Sequence, residues 1–208
     1  HLPHRTAQFR RSQEGRPRKH GDFCTDLRNH PTAPRQSASL GCMELLFALR
    51  HLGGIARTAD VLRSGVRRRA IERALAAGAV MRPSKGGVAL PQTDPALVFA
   101  ARHHVVLSCI TQAERMKLWL AERPPHPHVA APNRGAKVRG GPMTVHWTRP
   151  LVPRAPMLLE DPLENVLAHV AECQPYETAL AVWESALNAG RTDLLSLGAL
   201  PLSGRARS

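Results

Sequence analysis

The sequence predicts an α+β protein in which an N-terminal winged helix-turn-helix is followed by a small mixed α+β domain. Three short helical patterns and a glycine-rich hairpin signal fall within residues 43–91. Helical patterns and short apolar strands alternate over residues 92–200. Apolar residues make up 43% of the chain, which is enough for a packed core, but aromatic residues make up only 4%. The core is therefore expected to consist of Leu, Val and Ala.

The two ends of the chain show no regular pattern. Residues 1–42 are rich in Arg, His, Pro, Gln and Ser, with isolated apolar residues, and are predicted to be disordered. Because the chain opens with His1 and periodicity begins at Met43, we hypothesise that Met43 is the natural start and that residues 1–42 are upstream sequence or a cloning remnant. Residues 201–208 are expected to form a disordered tail or a truncated linker.

The helix-turn-helix prediction depends on three apolar stripes with helical spacing. Helices are expected over residues 43–52, 58–64 and about 66–77, each followed by glycine. Strands over residues 79–82 and 88–90 would flank a Pro- and Gly-containing turn. The side chains expected to face inward are Leu45, Leu46, Leu49, Leu52, Ala59, Leu62, Ala70, Ile71, Ala74 and Leu75.

The second domain is predicted from shorter patterns of both kinds. Residues 105–107, 126–131 and 143–147 are expected to be strands. Helices are expected at about 94–102, 111–120, 162–170 and 176–188, with a last one from Thr192.

The charge distribution favours a polyanionic partner. The formal net charge is +13, which points to nucleic acid first and an anionic membrane second. Residues 159–208 differ, with 3 basic and 7 acidic residues, and suit a structural or partner-facing role. With neither a membrane-spanning apolar run nor a signal peptide in the sequence, we expect a cytoplasmic protein that does not bind membranes.

The third predicted helix carries the strongest functional signal. With its apolar stripe packed inward, Arg68, Arg69 and Arg73 project outward, and Arg67 lies at the helix start. Arg69 and Arg73 are a like-charge pair one turn apart, which destabilises a helix unless phosphates relieve the repulsion. In helix-turn-helix proteins this helix enters the major groove. We therefore expect it to bind double-stranded DNA; the alternative is an ordinary solvated basic face.

Two further groups of cations are candidates for contact with nucleic acid. Arg82 and Lys85 lie in the hairpin and are placed to touch backbone phosphates, although an ordinary exposed turn would look the same. Arg134, Lys137 and Arg139 form a second basic patch in a glycine-rich loop, for which a disordered loop is the alternative.

Neither catalytic, cofactor-binding nor metal-binding residues are predicted. Cys24, Cys42, Cys109 and Cys173 are scattered without a C-x-x-C pair, so free thiols are expected rather than disulfides or zinc ligands. His126 and His128 lack a matching carboxylate or cysteine. No lysine follows an acidic residue in the [DE]-x-K pattern of metal-dependent nucleases, and no phosphate-binding glycine motif occurs.

The region from Met43 to Pro91 resembles the N-terminal winged helix of the abortive-infection antitoxin AbiEi from bacterial type IV toxin–antitoxin systems. Residues 128–135, 145–146 and 180–187 (LAVWESAL) are more loosely similar to actinobacterial proteins of this group. The segments that carry the first resemblance are 52–56 (LGGIA), 59–62 (ADVL), 65–66 (GV), 69–71 (RAI) and 87–91 (GVALP).

This resemblance implies transcriptional autorepression by the winged helix, with the α+β region acting as a scaffold or contacting a cognate toxin. Members of the actinobacterial group often continue into a domain similar to the very-short-patch-repair endonuclease, which would begin near Ser208. Three hypotheses therefore stand: a repressor of antitoxin type, the non-catalytic N-terminal part of such an endonuclease, and a protein-interaction module without DNA binding.

Overall fold

A computed structural model describes residues 35–154 and 158–202 and shows a mixed α+β arrangement. The prediction of a strand over residues 79–82 is wrong, because only Met81 of this segment pairs, in an isolated bridge with Ala89. The other predicted helices and strands of residues 43–200 are present with shifted ends, and one additional strand occurs. In chain order the elements are α1 (Arg35–His51), β1 (Ile55–Arg57), α2 (Thr58–Arg63), α3 (Arg68–Ala76), β2 (Gly87–Ala89), α4 (Pro95–His103), β3 (Val106–Leu107), α5 (Cys109–Arg115), β4 (His128–Ala130), β5 (Thr144–His146), α6 (Leu163–Cys173), α7 (Tyr176–Asn188) and α8 (Leu194–Gly198).

The first three helices and two strands share one apolar core. Its buried members include Leu45 and Leu49 from α1 and Ile71 from α3, as their helical spacing predicts. Two predictions of inward-facing residues are wrong. Leu52 is 44% exposed because α1 ends at His51 and the chain turns away. In α2 the buried residue is Val61, while Ala59 is exposed.

The first helix begins at Arg35, so the prediction of disorder is wrong for residues 35–42. This segment contacts the core: Cys42 packs against it, and Gly41 lies next to Ala70. A Cβ atom on Gly41 would lie 3.3 Å from the Cβ of Ala70, so glycine lets α1 approach α3 closely. The predictions for residues 1–34 and 203–208 lie outside the described residues.

Strand β1, which the sequence analysis did not predict, joins the hairpin to the helices. It pairs antiparallel with β2, Ile55 opposite Ala89, and an isolated bridge from Met81 reaches the same Ala89. Gly54, at φ +87°, precedes β1, and its carbonyl accepts hydrogen bonds from the Leu90 amide (2.8 Å) and the Thr93 hydroxyl (2.7 Å). A left-handed backbone this close to Thr93 requires glycine.

The second half of the chain is built on a three-stranded sheet of order β3-β4-β5. Strand β3 is antiparallel to β4, and β4 is parallel to β5. Helices α5, α6 and α7 form the largest apolar cluster, which includes Ile110, Leu167 and Val182. Helix α5 ends at Arg115, five residues before the predicted end, and Lys117 follows it at φ +62°.

A buried polar network fixes the segment after β5. Arg154 and Asp161 are both nearly inaccessible and form a bidentate ion pair, with Nε–Oδ1 at 2.5 Å and Nη2–Oδ2 at 3.0 Å. Asn165 exchanges two hydrogen bonds of 3.0 Å with the backbone of Val152. These contacts tie residues 152–154 to the start of α6. Within the described ranges, no helix has both the length and the apolar character needed to cross a membrane.

Candidate functional site

Helix α3 presents a row of arginines because its opposite face is committed to the core. Ala70, Ile71 and Ala74 are buried, and the helical period then places the intervening arginines in solvent. Arg67 is the N-terminal flanking residue, in an extended conformation, and is exposed as well. The exposed cations of this element are Arg67, Arg68, Arg69 and Arg73.

These arginines carry uncompensated charge. Within residues 40–154 and 158–202, none of the four forms an ion pair with a carboxylate. The Nε of Arg73 donates to the carbonyl oxygen of Arg69 at 3.3 Å, so the two side chains lie along the same face. The structure therefore leaves the predicted like-charge pair open to an anion.

Two depressions border α3, and they divide its cations. A cleft of about 950 Å³ is lined by Arg68 from the helix together with Arg82 and Lys85 from the hairpin. Arg57 also lines it, so it is basic; Arg154 lines it too, but its charge is paired with Asp161. A second groove, of about 660 Å³, is lined by the cations Arg67, Arg69 and Arg73 together with the carboxylates of Glu44 and Glu72.

The second predicted basic patch does not line these depressions, although Pro132 and Asn133, which directly precede it, line the cleft. Arg134, Lys137 and Arg139 are exposed, and none of them is among the residues that line the cleft or the groove. Their loop is held by α4, since the Arg139 amide donates to the His103 carbonyl at 3.0 Å and the His103 Nδ1 lies 3.1 Å from the Arg139 carbonyl oxygen.

The structure also brings together four residues that the sequence analysis did not connect. The side-chain donor atoms of Cys109, His128, His146 and Cys173 all lie within 4.8 Å of one another. We call these residues the Cys–His cluster. The prediction that the cysteines are not metal ligands was based on the absence of a C-x-x-C pair. Spacing of that kind does not detect contacts between residues that are distant in the sequence. The cluster instead joins the starts of α5 and β4 to the ends of β5 and α6.

The two thiols of the Cys–His cluster lie in different surroundings. The Sγ of Cys173 lies 3.4 Å from Nδ1 of His128, and the Gln174 amide donates to the same sulfur at 3.3 Å. The neighbouring Cys173 thiol, together with burial, raises the pKa of Cys109. The neighbouring Cys109, then His128 and His146, lower the pKa of Cys173.

A buried histidine supports the cluster from behind. The ring of His169 stacks on that of His146, with centroids 4.7 Å apart, and bonds to Ser108 Oγ (2.7 Å) and Thr148 Oγ1 (2.9 Å). Burial, then the neighbouring His146, lowers the pKa of His169 to about 4, so its ring is neutral at pH 7. Ser108 is fully buried, so its hydroxyl is not accessible as a nucleophile. Its hydrogen bond with His169 is part of the packed interior.

Comparison with known proteins adds no relative to this picture. No protein-family model matches the sequence, and a search of curated proteins finds no significant match. The functional proposal therefore depends on the residues and geometry described above.

Proposed function

We propose that this protein binds double-stranded DNA in a sequence-specific manner and represses transcription, with residues 43–91 acting as a winged helix-turn-helix. Helices α2 and α3 are joined by residues 64–67, a short turn that contains Gly65 at φ +95°. A short glycine-containing turn is typical of the helix-turn-helix. After α3, Met81 forms an isolated antiparallel bridge with Ala89 of β2, and we assign this segment to the wing; α1 packs against α3 in the same apolar core.

One observation carries the proposal: α3 has exposed arginines without carboxylate partners in the described part of the chain, on the face opposite its buried stripe. In helix-turn-helix proteins the equivalent helix lies in the major groove, with its N-terminal residues at the base edges. Arginine pairs with guanine O6 and N7 through two hydrogen bonds. Arg69 and Arg73 are therefore assigned to base contacts, together with Arg67 and Arg68 at the helix N-terminus.

The basic cleft supports a second set of contacts. Arg82 and Lys85 are exposed and line the cleft beside Arg68, which places cations of the wing next to cations of the helix. A wing next to a groove-bound helix meets the sugar–phosphate backbone, and such contacts position the protein without reading sequence. We assign Arg82 and Lys85 to phosphates. Arg134, Lys137 and Arg139 would extend the contact if the duplex continues past the cleft.

The AbiEi resemblance supports a biological role of antitoxin type, in the cytoplasm and without catalysis. On this proposal the protein represses its own operon, and the region after Pro91 contacts a cognate toxin. The net negative charge of residues 159–208 keeps that region away from DNA and free for a protein partner.

A binding titration tests the proposal. The full chain is titrated against a labelled duplex from the region upstream of its own coding sequence, and against a shuffled duplex of equal composition, at two salt concentrations. We expect tighter binding to the upstream duplex and a steep loss of affinity with salt, because each phosphate contact releases counterions. Equal affinity for both duplexes would contradict sequence-specific repression. Affinity that is independent of salt would contradict the assigned phosphate contacts.

A further inference from the structure

The Cys–His cluster joins elements that are distant in sequence but packed against each other. His128 begins β4 and His146 ends β5, and the parallel register pairs His128 with Thr144 and Ala130 with His146. Residues two apart on a strand share a face, so both imidazoles lie on the same face of the sheet, with ring centroids 5.8 Å apart. Cys109 and Cys173 approach that face from α5 and α6, which pack against each other.

The backbone is arranged to direct these side chains inward. Cys109, which is fully buried, has φ +50°, a left-handed conformation that a non-glycine residue seldom adopts. The amide of His128 donates to Thr111 Oγ1 at 2.7 Å, which fixes the start of β4 against α5. The backbone conformation of Cys109 and the His128–Thr111 hydrogen bond therefore set the positions of two donor residues, and Cys109 also belongs to the apolar core.

One donor atom of the cluster region lacks a partner. The Nε2 of His146 is buried and has no hydrogen-bond partner among residues 40–154 and 158–202. A buried ring nitrogen without a partner is rare in folded proteins, and a bound ion is one of its accepted explanations. The other three residues of the cluster supply two sulfur donors and one further imidazole.

We propose that Cys109, His128, His146 and Cys173 bind one zinc ion in a closed structural site. Two thiolates and two imidazoles are a donor set that zinc takes in tetrahedral geometry. In such a site sulfur and nitrogen ligands lie about 3.5 Å apart, given zinc–ligand bonds of about 2.0–2.3 Å. The 3.4 Å between Cys173 Sγ and His128 Nδ1 fits that spacing, and all donor pairs lie within 4.8 Å.

The surroundings match those of a structural zinc site. Gln174 donates to Cys173 Sγ, and the ring of His169 lies flat against that of His146, so both ligands are oriented by neighbours. Four protein donors leave no open coordination position for substrate. The ion would connect α5, β4, β5 and α6, and thereby hold together the part of the chain that follows the DNA-binding helices. This inference is independent of DNA binding.

Metal analysis of the full chain tests the site. The protein is purified without chelators and its zinc content is measured by inductively coupled plasma mass spectrometry. We expect one zinc ion per chain, with loss of bound zinc in Cys109→Ser and Cys173→Ser. Cys42→Ser is the matched control, because Cys42 is a cysteine of the other core, on α1, and should leave the zinc content unchanged. Gln174→Ala should lower zinc affinity about 10-fold.

Cobalt substitution keeps the test valid if a cysteine variant does not fold. Wild-type protein stripped of metal is titrated with Co²⁺, and we expect saturation at one equivalent with the absorption of a tetrahedral ion bound to two thiolates. Purified protein without zinc that also fails to bind Co²⁺ would overturn the proposal. So would zinc retained in both cysteine variants, zinc lost from Cys42→Ser, or a Cys109–Cys173 disulfide found by mass spectrometry.

Discussion

Arg68, the first residue of α3, and Lys85, in the turn before β2, line the same cleft although they belong to separate elements. The pairing of β1 with β2 produces this juxtaposition, since it fixes the hairpin beside the helices. On the proposed function, cations from α3 and from the adjacent hairpin meet one duplex together. Mutations can distinguish the base contacts that we assign to α3 from the phosphate contacts that we assign to the hairpin.

The cations of the hairpin are expected to contact phosphates. Arg82→Ala and Lys85→Ala should each weaken binding to the upstream duplex and to the shuffled duplex by similar factors. Each should also reduce the slope of log affinity against log salt by about 1, because one phosphate contact is lost. Binding titrations over a range of salt concentrations measure both effects. A loss confined to the upstream duplex would instead assign these residues to base contacts.

The Arg154–Asp161 ion pair should stabilise the second half of the chain strongly. Asp161→Asn leaves a buried guanidinium without its counter-charge, and we expect the free energy of unfolding to fall by about 3–5 kcal/mol. The matched control is Glu114→Gln, which breaks the exposed Arg123–Glu114 pair (2.8 Å) and should cost less than about 1 kcal/mol. Urea denaturation measures both values. An equal loss of unfolding free energy in the two variants would show that burial does not strengthen the Arg154–Asp161 pair.

The stability of the protein should respond to the ionisation of Asp94. Burial raises the pKa of this carboxyl, but the hydrogen bond from Arg115, the Ala96 amide and the charge of Arg115 outweigh burial and lower it. Arg115 also pairs with Glu160. A carboxyl whose pKa is lower in the folded state stabilises that state above its unfolded pKa of about 3.9, and the contribution disappears as the pH falls through the folded value.

Asp94→Asn isolates this effect, because asparagine still caps the N-terminus of α4. The variant should melt below the wild type at pH 6, and the two melting temperatures should converge as the pH falls below about 4. Since Asp94 is 42% exposed, the difference should be small. Thermal melts followed by circular dichroism at a series of pH values measure it. A difference that does not change with pH would assign the effect to something other than this ionisation.

Much of the fold is predictable because the helices have regular apolar stripes. The spacing of Ala70, Ile71 and Ala74 determines which face of α3 is buried, and this in turn exposes Arg69 and Arg73. By contrast, β1 has only three residues, too few to show an alternating pattern. The start of α1 was missed because residues 35–42 are mostly polar or small and contact the core through Gly41 and Cys42.

The Cys–His cluster could not be predicted from spacing alone. His128 and Cys173 are 45 positions apart, and their contact depends on how α5 and α6 pack against the sheet. One signal was available: Cys109 lies two residues after a predicted strand, while His128 and His146 lie within predicted strands. Strands of one sheet bring such residues together, but their order and register must be known first. Local sequence patterns therefore predicted the exposed arginine face of α3 and did not predict the cluster.

The most direct test of DNA binding by α3 is the affinity of the double variant Arg69→Ala/Arg73→Ala for the upstream duplex. Arg191→Ala is the matched control, because Arg191 is exposed in the acidic part of the chain. Each lost arginine–guanine pair should cost about 1–3 kcal/mol, so the double variant should bind at least about 30-fold more weakly while its circular dichroism spectrum is unchanged. The control should bind like the wild type. Wild-type affinity in a folded double variant would contradict the account.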